Sequence, residues 1–291
     1  MNIILNENEY RISHSCYVRF QFIYGELKSA ELRAADFCLT NPEFVSQSTI
    51  REVAEQAKCS EATLFRLAKR LGYDGYPALR ANILREDHYE FVSMFKIQQE
   101  DSVQTITSNI INATILSLKD SMASIDYNQL SSAISAISKA RKILFAAAGD
   151  ANTVALAGVQ KFVRFGLPAS YNSDFDAQLI ALSQMTHGDV LFCVSHSGRT
   201  RTVYNLAKIA KSRNVTVVSL TSFPQSSIAK ISDITLLTVS YNHDMIGEIL
   251  AKRVPALCII DIIYVCLIMQ MSEKQREILA VGNALLLKNK I

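Results

Sequence analysis

The 291-residue chain lacks most of the marks that assign a protein to a class at once. Its six cysteines, Cys16, Cys38, Cys59, Cys193, Cys258 and Cys266, contain no CxxC pair, and most lie inside apolar runs. That pattern argues against a disulfide framework or a zinc site and predicts buried, reduced thiols acting as small hydrophobes. No metal or other cofactor is expected. Charge of one sign is also missing: the net value is only +3, so overall charge points to neither nucleic acid nor membrane, and any basic surface must be local. The N-terminus, MNIILNENEY, has no basic region ahead of a long apolar core, which predicts no signal peptide and a cytoplasmic location. The longest apolar stretch, Val254 to Met269, falls short of the roughly 20 residues a bilayer needs. It also carries Pro255 and Asp261, so it reads as a buried helix rather than a membrane span. The polar MSEKQREILAVG after it continues the helical pattern. There is no internal repeat and no low-complexity tract.

What is present is a large apolar fraction, 49%, enough for the core of one large domain or two ordinary ones. Its periodicity changes along the chain. From Ser29 to Arg85 apolar residues recur every three or four positions, which predicts helices alone. From Lys142 onward, apolar runs alternate with amphipathic stretches: ILFAAAG, LPASY, DVLFCVS, VTVVSLTS and ITLLTVS are each followed by a helical pattern, the last by a long terminal helix. Such alternation predicts a doubly wound parallel sheet with helices on both faces, an α/β fold. The residues between read as a connector with a helix of its own, packed against the second domain. The expected boundaries are 1–88, 89–128 and 129–291. The first twenty-odd residues show no clear pattern.

Within the helical third, TIREVAEQAKCSEATLFRLAKRLGYDGYPALR carries a local signal. Ile50, Val53 and Ala54 form the inner face of one helix, and Ala57-Lys58-Cys59 a tight turn. Ser60 stands where an N-cap is wanted, and Leu64, Leu67, Ala68 and Leu71 form the inner face of a second helix ended by Gly72. This is the pattern of a helix-turn-helix. Ser60, Glu61, Thr63 and Arg66 fall where a recognition helix meets base edges, and Lys69 and Arg70 where it meets phosphates. An ordinary helical hairpin with a solvated basic face gives the same pattern. Specific binding by one such unit is weak, so a dimer on two half-sites is expected.

In the α/β region, the SHSGRT stretch (Ser195–Thr200) follows the strand-like Val190–Val194 and precedes a helix. The end of a parallel strand entering a helix offers unpaired N–H groups and the positive end of the helix dipole, which favours an anion. Ser195, Ser197 and Thr200 add hydroxyl donors, and Gly198 permits close backbone approach. The chemistry suits a phosphate, but no P-loop lysine follows, so a nucleoside triphosphate is not implied. A plain serine-rich helix cap is the alternative. The loop Ala148–Thr153 holds the equivalent place one unit earlier, and two such loops can converge at a sheet switch point.

Together these residues resemble a known family. SxSGxT between strand and helix is the signature of the sugar isomerase (SIS) domain, and the helix-turn-helix with its RLGYDGY ending resembles the N-terminal domain of RpiR-type bacterial transcription regulators. The resemblance runs from about Gly25 to Leu267. It implies a non-enzymatic regulator that binds double-stranded operator DNA through Ser60 to Arg70 and a phosphorylated sugar through Ser195, Ser197, Gly198 and Thr200. Gly149, Asp150, Asn152 and Glu248 complete the expected effector set, and pairing of SIS domains implies a homodimer or homotetramer. The chain departs from the family's G-x-G-x-S loop: Ala147 and Ala151 replace a glycine and the serine. Asp150 adds a carboxylate that opposes an anion unless it meets sugar hydroxyls or points away.

Two other classes fit the same residues. An aldose-ketose isomerase needs a proton-transferring base, for which Glu248, His196, His187 and His243 are the candidates. A sugar-phosphate-binding adaptor acting on another protein needs no DNA contact at all.

Overall fold

A computed structural model describes residues 16–24, 27–83, 100–240 and 252–288. The chain divides into two compact units: Met1–Ser124 with Val239–Ala251, and Ile125–Thr238 with Lys252–Ile291. No helix among the described residues is long and apolar enough to cross a membrane.

The first unit is helical: α1 (Cys16–Tyr24), α2 (Ser29–Thr40), α3 (Pro42–Gln47), α4 (Ile50–Gln56), α5 (Glu61–Arg70), α6 (Tyr76–Ile83) and α7 (Val103–Ala123). Helix α1 escaped the sequence pattern because its buried residues, Cys16, Val18, Arg19, Phe20 and Phe22, include a charged one and keep no single three-to-four spacing. The α4–α5 pair is set by its caps. Thr49 and Glu52 form a reciprocal capping box at the start of α4, and the Ser60 hydroxyl accepts from Thr63 N at the start of α5. Between them Lys58 takes a left-handed conformation with φ 51°, and Arg33 donates to its carbonyl oxygen. Buried Arg19 donates to the Leu71 and Gly72 carbonyls just past the end of α5 and lies over the Tyr73 ring. Leu64, Leu67 and Leu71 are fully buried among Val53, Leu79 and Phe20, so the inner faces read from the sequence form the core. Helix α7 groups with this unit rather than the second, its Ser121 hydroxyl donating to Val239 O and accepting from Val239 N.

The second unit is the parallel α/β structure. Helix α8 (Tyr127–Ser138) leads into β1 (Ile143–Ala146), α9 (Asn152–Arg164), β2 (Ala169–Ser170), α10 (Phe175–Ser183), β3 (Val190–Val194), α11 (Arg201–Ser212), β4 (Thr216–Thr221), α12 (Ser227–Ile231), β5 (Ile234–Leu237), α13 (Arg253–Met269) and α14 (Glu273–Leu287). The five strands form one sheet in the order β2-β1-β3-β4-β5, and every pairing is parallel. Alternate side chains feed two cores. Phe145, Phe192 and Leu220 face α8, α9 and α13, while Leu144, Leu191, Cys193 and Val217 face α10, α11 and α12. Helix α9 lies so close to the sheet that a β-carbon at Gly158 would come within 2.5 Å of the Phe145 ring.

Three details differ from expectation. The second strand is only two residues long, because it is the sheet edge and only Ile143 and Leu144 of β1 pair with it. The terminal helix is two helices, since the Ser272–Gln275 capping box starts α14 afresh. Helix α13 is buried on one face only: Ile259, Ile260, Ile263 and Leu267 are in the core, whereas Asp261, Val265, Met269 and Cys258 face outward. Cys16, Cys38 and Cys193 are buried, and burial pushes the Cys38 thiol up to about 12.

Candidate functional site

The sheet order places a topological switch point between β1 and β3, where the carboxyl ends of the strands leave a crevice. A cavity of about 220 Å³ opens there. The loop after β1 contributes Ala148, Asp150 and Ala151, and the loop after β3 contributes Ser195, His196, Ser197 and Thr200. Thr221 and Thr238 from the ends of β4 and β5 line it as well, and Lys252 and Arg253 at the start of α13 supply cations.

The loop after β3 is built to hold its backbone outward. Its carbonyls are consumed internally: Ser195 O accepts from Gly198 N, His196 O from Ser222 N and Thr221 Oγ1, and Gly198 O from Ile228 N. Gly198 has φ +59°, and a β-carbon there would stand 1.9 Å from Ser226 Oγ. The buried Ser195 hydroxyl bonds to Thr200 Oγ1 at 2.9 Å, while Ser197 is exposed and accepts from Arg199 N. His196 hydrogen-bonds Ser222 Oγ through Nδ1 at 2.8 Å, and Ser222 reaches Thr238 Oγ1. Burial drives the His196 pKa down to about 4, with Lys252 pushing the same way and Asp150 opposing, so the ring is neutral near pH 7.

Capping distinguishes this end of the unit. Helices α8, α10, α12 and α14 each start with a side-chain acceptor, from Asp126, Asp174, Ser226 and Ser272. The three helices that begin at the cavity, α9, α11 and α13, have none. The start of α11 meets the cavity with its positive dipole end, whereas α9 continues from the turn Gly149–Ala151, whose Gly149 and Asp150 carbonyls accept from Asn152 N. Two adjacent cations at the start of α13 oppose that helix's dipole, and Asp150 offsets them: its Oδ2 lies 3.2 Å from Lys252 Nζ and its Oδ1 3.2 Å from Arg253 Nη1. The carboxylate foreseen as an obstacle to an anion is therefore paired.

Of the effector set read from sequence, Asp150, Ser195, Ser197 and Thr200 line the cavity. Gly149, Asn152 and Gly198 belong to the same loops but shape them from behind, with Gly149 opening the turn before α9 and Asn152 its first residue. Glu248 and His243 lie outside the described residues. His187 is on the loop entering β3, at the amino end of the strands and so away from the cavity, where its carbonyl accepts from Arg141. Sequence reasoning missed Lys252 and Arg253. The available signal was a cation pair just before an apolar helix, where a carboxylate is usual.

The outward face of α5 carries Glu61, Ala62, Phe65, Arg66 and Lys69, all exposed, as is the capping Ser60. Thr63 corrects the sequence reading. It is 3% exposed, its hydroxyl engaged by Ser60 Oγ at 2.9 Å and Arg66 Nη2 at 3.4 Å, so it braces the helix start and does not face outward. Arg70 is likewise committed, with Nη1 2.7 Å from Glu31 Oε2 on α2.

A helix-turn-helix unit followed by a parallel α/β unit with a cavity at its switch point defines a two-domain class, and comparison with known proteins gives it a family. Residues 17–89 match the helix-turn-helix domain of the rpiR family, and residues 136–265 match the SIS domain. The chain is 26% identical over 239 residues to the HTH-type transcriptional regulator HexR of Escherichia coli K12, covering 81% of this chain and 82% of that protein. It is 24% identical over 238 residues to the regulator RpiR of the same strain, covering 81% and 80%. Among solved structures, the Vibrio vulnificus NanR protein complexed with ManNAc-6P superposes with a TM-score of 0.61 at 23% identity, over 95% of this chain and all of that one. The sugar isomerase domain of the Sphaerobacter thermophilus RpiR transcription factor gives 0.57 at 17% identity, over 62% and 99%. The chain belongs to the RpiR family of helix-turn-helix, SIS-domain transcriptional regulators.

Proposed function

We propose that the protein is a sequence-specific DNA-binding regulator of sugar-metabolism genes whose operator affinity is set by a phosphorylated sugar held in the SIS-domain cavity. The observation that carries the effector half is the convergence of the α11 start, the hydroxyls of Ser195, Ser197 and Thr200 and the cations Lys252 and Arg253 on one cavity. That combination suits a phosphate ester, with Asp150 and Thr238 left to meet sugar hydroxyls. NanR, with the same fold, is recorded with a sugar phosphate. For DNA, Ser60, Glu61 and Arg66 present base-reading groups and Lys69 a phosphate contact on the exposed face of α5, while the rest of the helix anchors it in the core. A homodimer brings two such helices to two half-sites, and the effector changes their spacing or orientation.

The test is retention of genomic fragments by the full-length protein at moderate salt, beside Arg66→Ala/Lys69→Ala. A few discrete fragments, lost in the double variant, support the reading. Nothing above background, with or without sugar phosphates, refutes it and leaves the isomerase and the adaptor. Of the isomerase candidates, the described residues place only His196 at the cavity.

A further inference from the structure

Resting on the DNA-binding reading of α5, we infer that Phe65 is a specificity-determining residue that packs against the C5-methyl of a thymine in each operator half-site. Phe65 is 47% exposed on the same outward face as Ala62, Arg66 and Lys69. The ring is not part of the core of its own unit, which Leu64, Leu67 and Leu71 close on the opposite side, and about half of it is left open. Nor is the ring a loose rotor. It rests beside the Gly75 backbone, at a place where a β-carbon on Gly75 would lie 3.4 Å from ring carbon Cε2, and the Lys69 ammonium is 5.9 Å from its centroid. The ring is thus held in place before any partner arrives, which lowers the entropy cost of contact.

The occupant follows from the neighbours. Two exposed cations beside it, Arg66 and Lys69, draw a polyanion to this face, although Lys69 Nζ lies 3.9 Å from Asp74 Oδ1. The apolar surface a major groove offers between base edges is the thymine methyl, the group with which alanine and phenylalanine side chains make contact. Ala62, one helical turn before Arg66, supplies a second small apolar surface beside the ring. Arg66 and Glu61 then hydrogen-bond base edges around an apolar centre.

The experiment uses the full chain and an operator fragment obtained by retention. Each thymine is replaced in turn by deoxyuridine, which removes only the methyl, and affinity is read by fluorescence anisotropy for the wild type and for Phe65→Ala. Burying one methyl contributes about 0.8 kcal/mol, so the wild type loses about fourfold per half-site at one symmetric position, about fifteenfold when both halves are changed. Phe65→Ala binds the thymine operator more weakly and no longer distinguishes uracil at that position, while its circular dichroism stays unchanged. If Phe65→Ala keeps the wild-type ratio, another group reads the methyl and the inference falls. If no position responds to loss of the methyl in the wild type, Phe65 meets the backbone or a protein partner, and the inference falls again. Failure of the wild type to retain any DNA is a different result, and it removes the DNA-binding reading itself.

Discussion

Substituting Gly198 by alanine tests the construction of the loop after β3. A β-carbon there would stand 1.9 Å from Ser226 Oγ, 2.3 Å from Ser226 Cβ and 3.0 Å from Thr221 Oγ1. Ser226 is the N-cap of α12, and Gly198 O accepts from Ile228 N in that helix, so neither side can retreat without breaking a bond. Overpacking of this kind costs about 1–3 kcal/mol. Holding alanine at φ +59° adds about 1 kcal/mol. Gly198→Ala should therefore destabilise the α/β unit by about 2–4 kcal/mol. Ser226→Gly removes both of the closest atoms, and glycine is a tolerable N-cap whose own cost is a few tenths of a kcal/mol. The double variant should accordingly be more stable than Gly198→Ala alone by about 1–2 kcal/mol, in spite of carrying one more substitution. Urea unfolding followed by far-UV circular dichroism measures all three. Additive losses would mean that the loop moves freely and that the tight seat against α12 is not what fixes it.

Other perturbations separate the roles of individual charges. Asp150→Asn leaves Lys252 and Arg253 without their carboxylate and should tighten inorganic phosphate binding about fivefold by calorimetry; weaker binding would show instead that Asp150 holds the ligand. His196 stays neutral in the folded protein down to about pH 4, whereas the unfolded chain protonates it near 6.5. The unfolded state therefore binds the extra proton across this window, and stability falls as pH drops from about 6.5 to about 4, by up to about 3 kcal/mol for this group. His196→Gln should remove that part of the slope, and an unchanged slope would contradict it. Arg70→Ala breaks the pair with Glu31, lowering stability of the helical unit by about 1 kcal/mol with the salt dependence of DNA binding unchanged. Lys69→Ala should leave the helical unit folded and reduce the salt slope of DNA binding by about 1, and an unchanged slope would remove its phosphate contact.

Pattern carried the fold in two ways: α5 shows one leucine face, and β3 is a continuous apolar run, as a strand buried on both faces should be. It failed where burial follows neither pattern. Helix α1 buries the consecutive Val18, Arg19 and Phe20, and Thr63 sits at the margin of the inner face, where its bond to Ser60 draws it in. The cavity was half legible. Its two loops follow strands with recognisable sequences, but Lys252 arrives from more than 50 residues beyond Thr200, and only the order of the strands brings it to Asp150. That ion pair explains the departure at Asp150, which looked unfavourable when the carboxylate was considered without its partners.

The coupling of the two units is the central claim, and anisotropy of a retained operator fragment titrated with a panel of sugar phosphates tests it most directly. One phosphorylated sugar should shift the binding midpoint several-fold in the wild type and not in Ser197→Ala/Lys252→Ala, whose DNA affinity without effector is unaltered. A sugar phosphate that binds the protein by calorimetry while the midpoint stays fixed for every compound would contradict it.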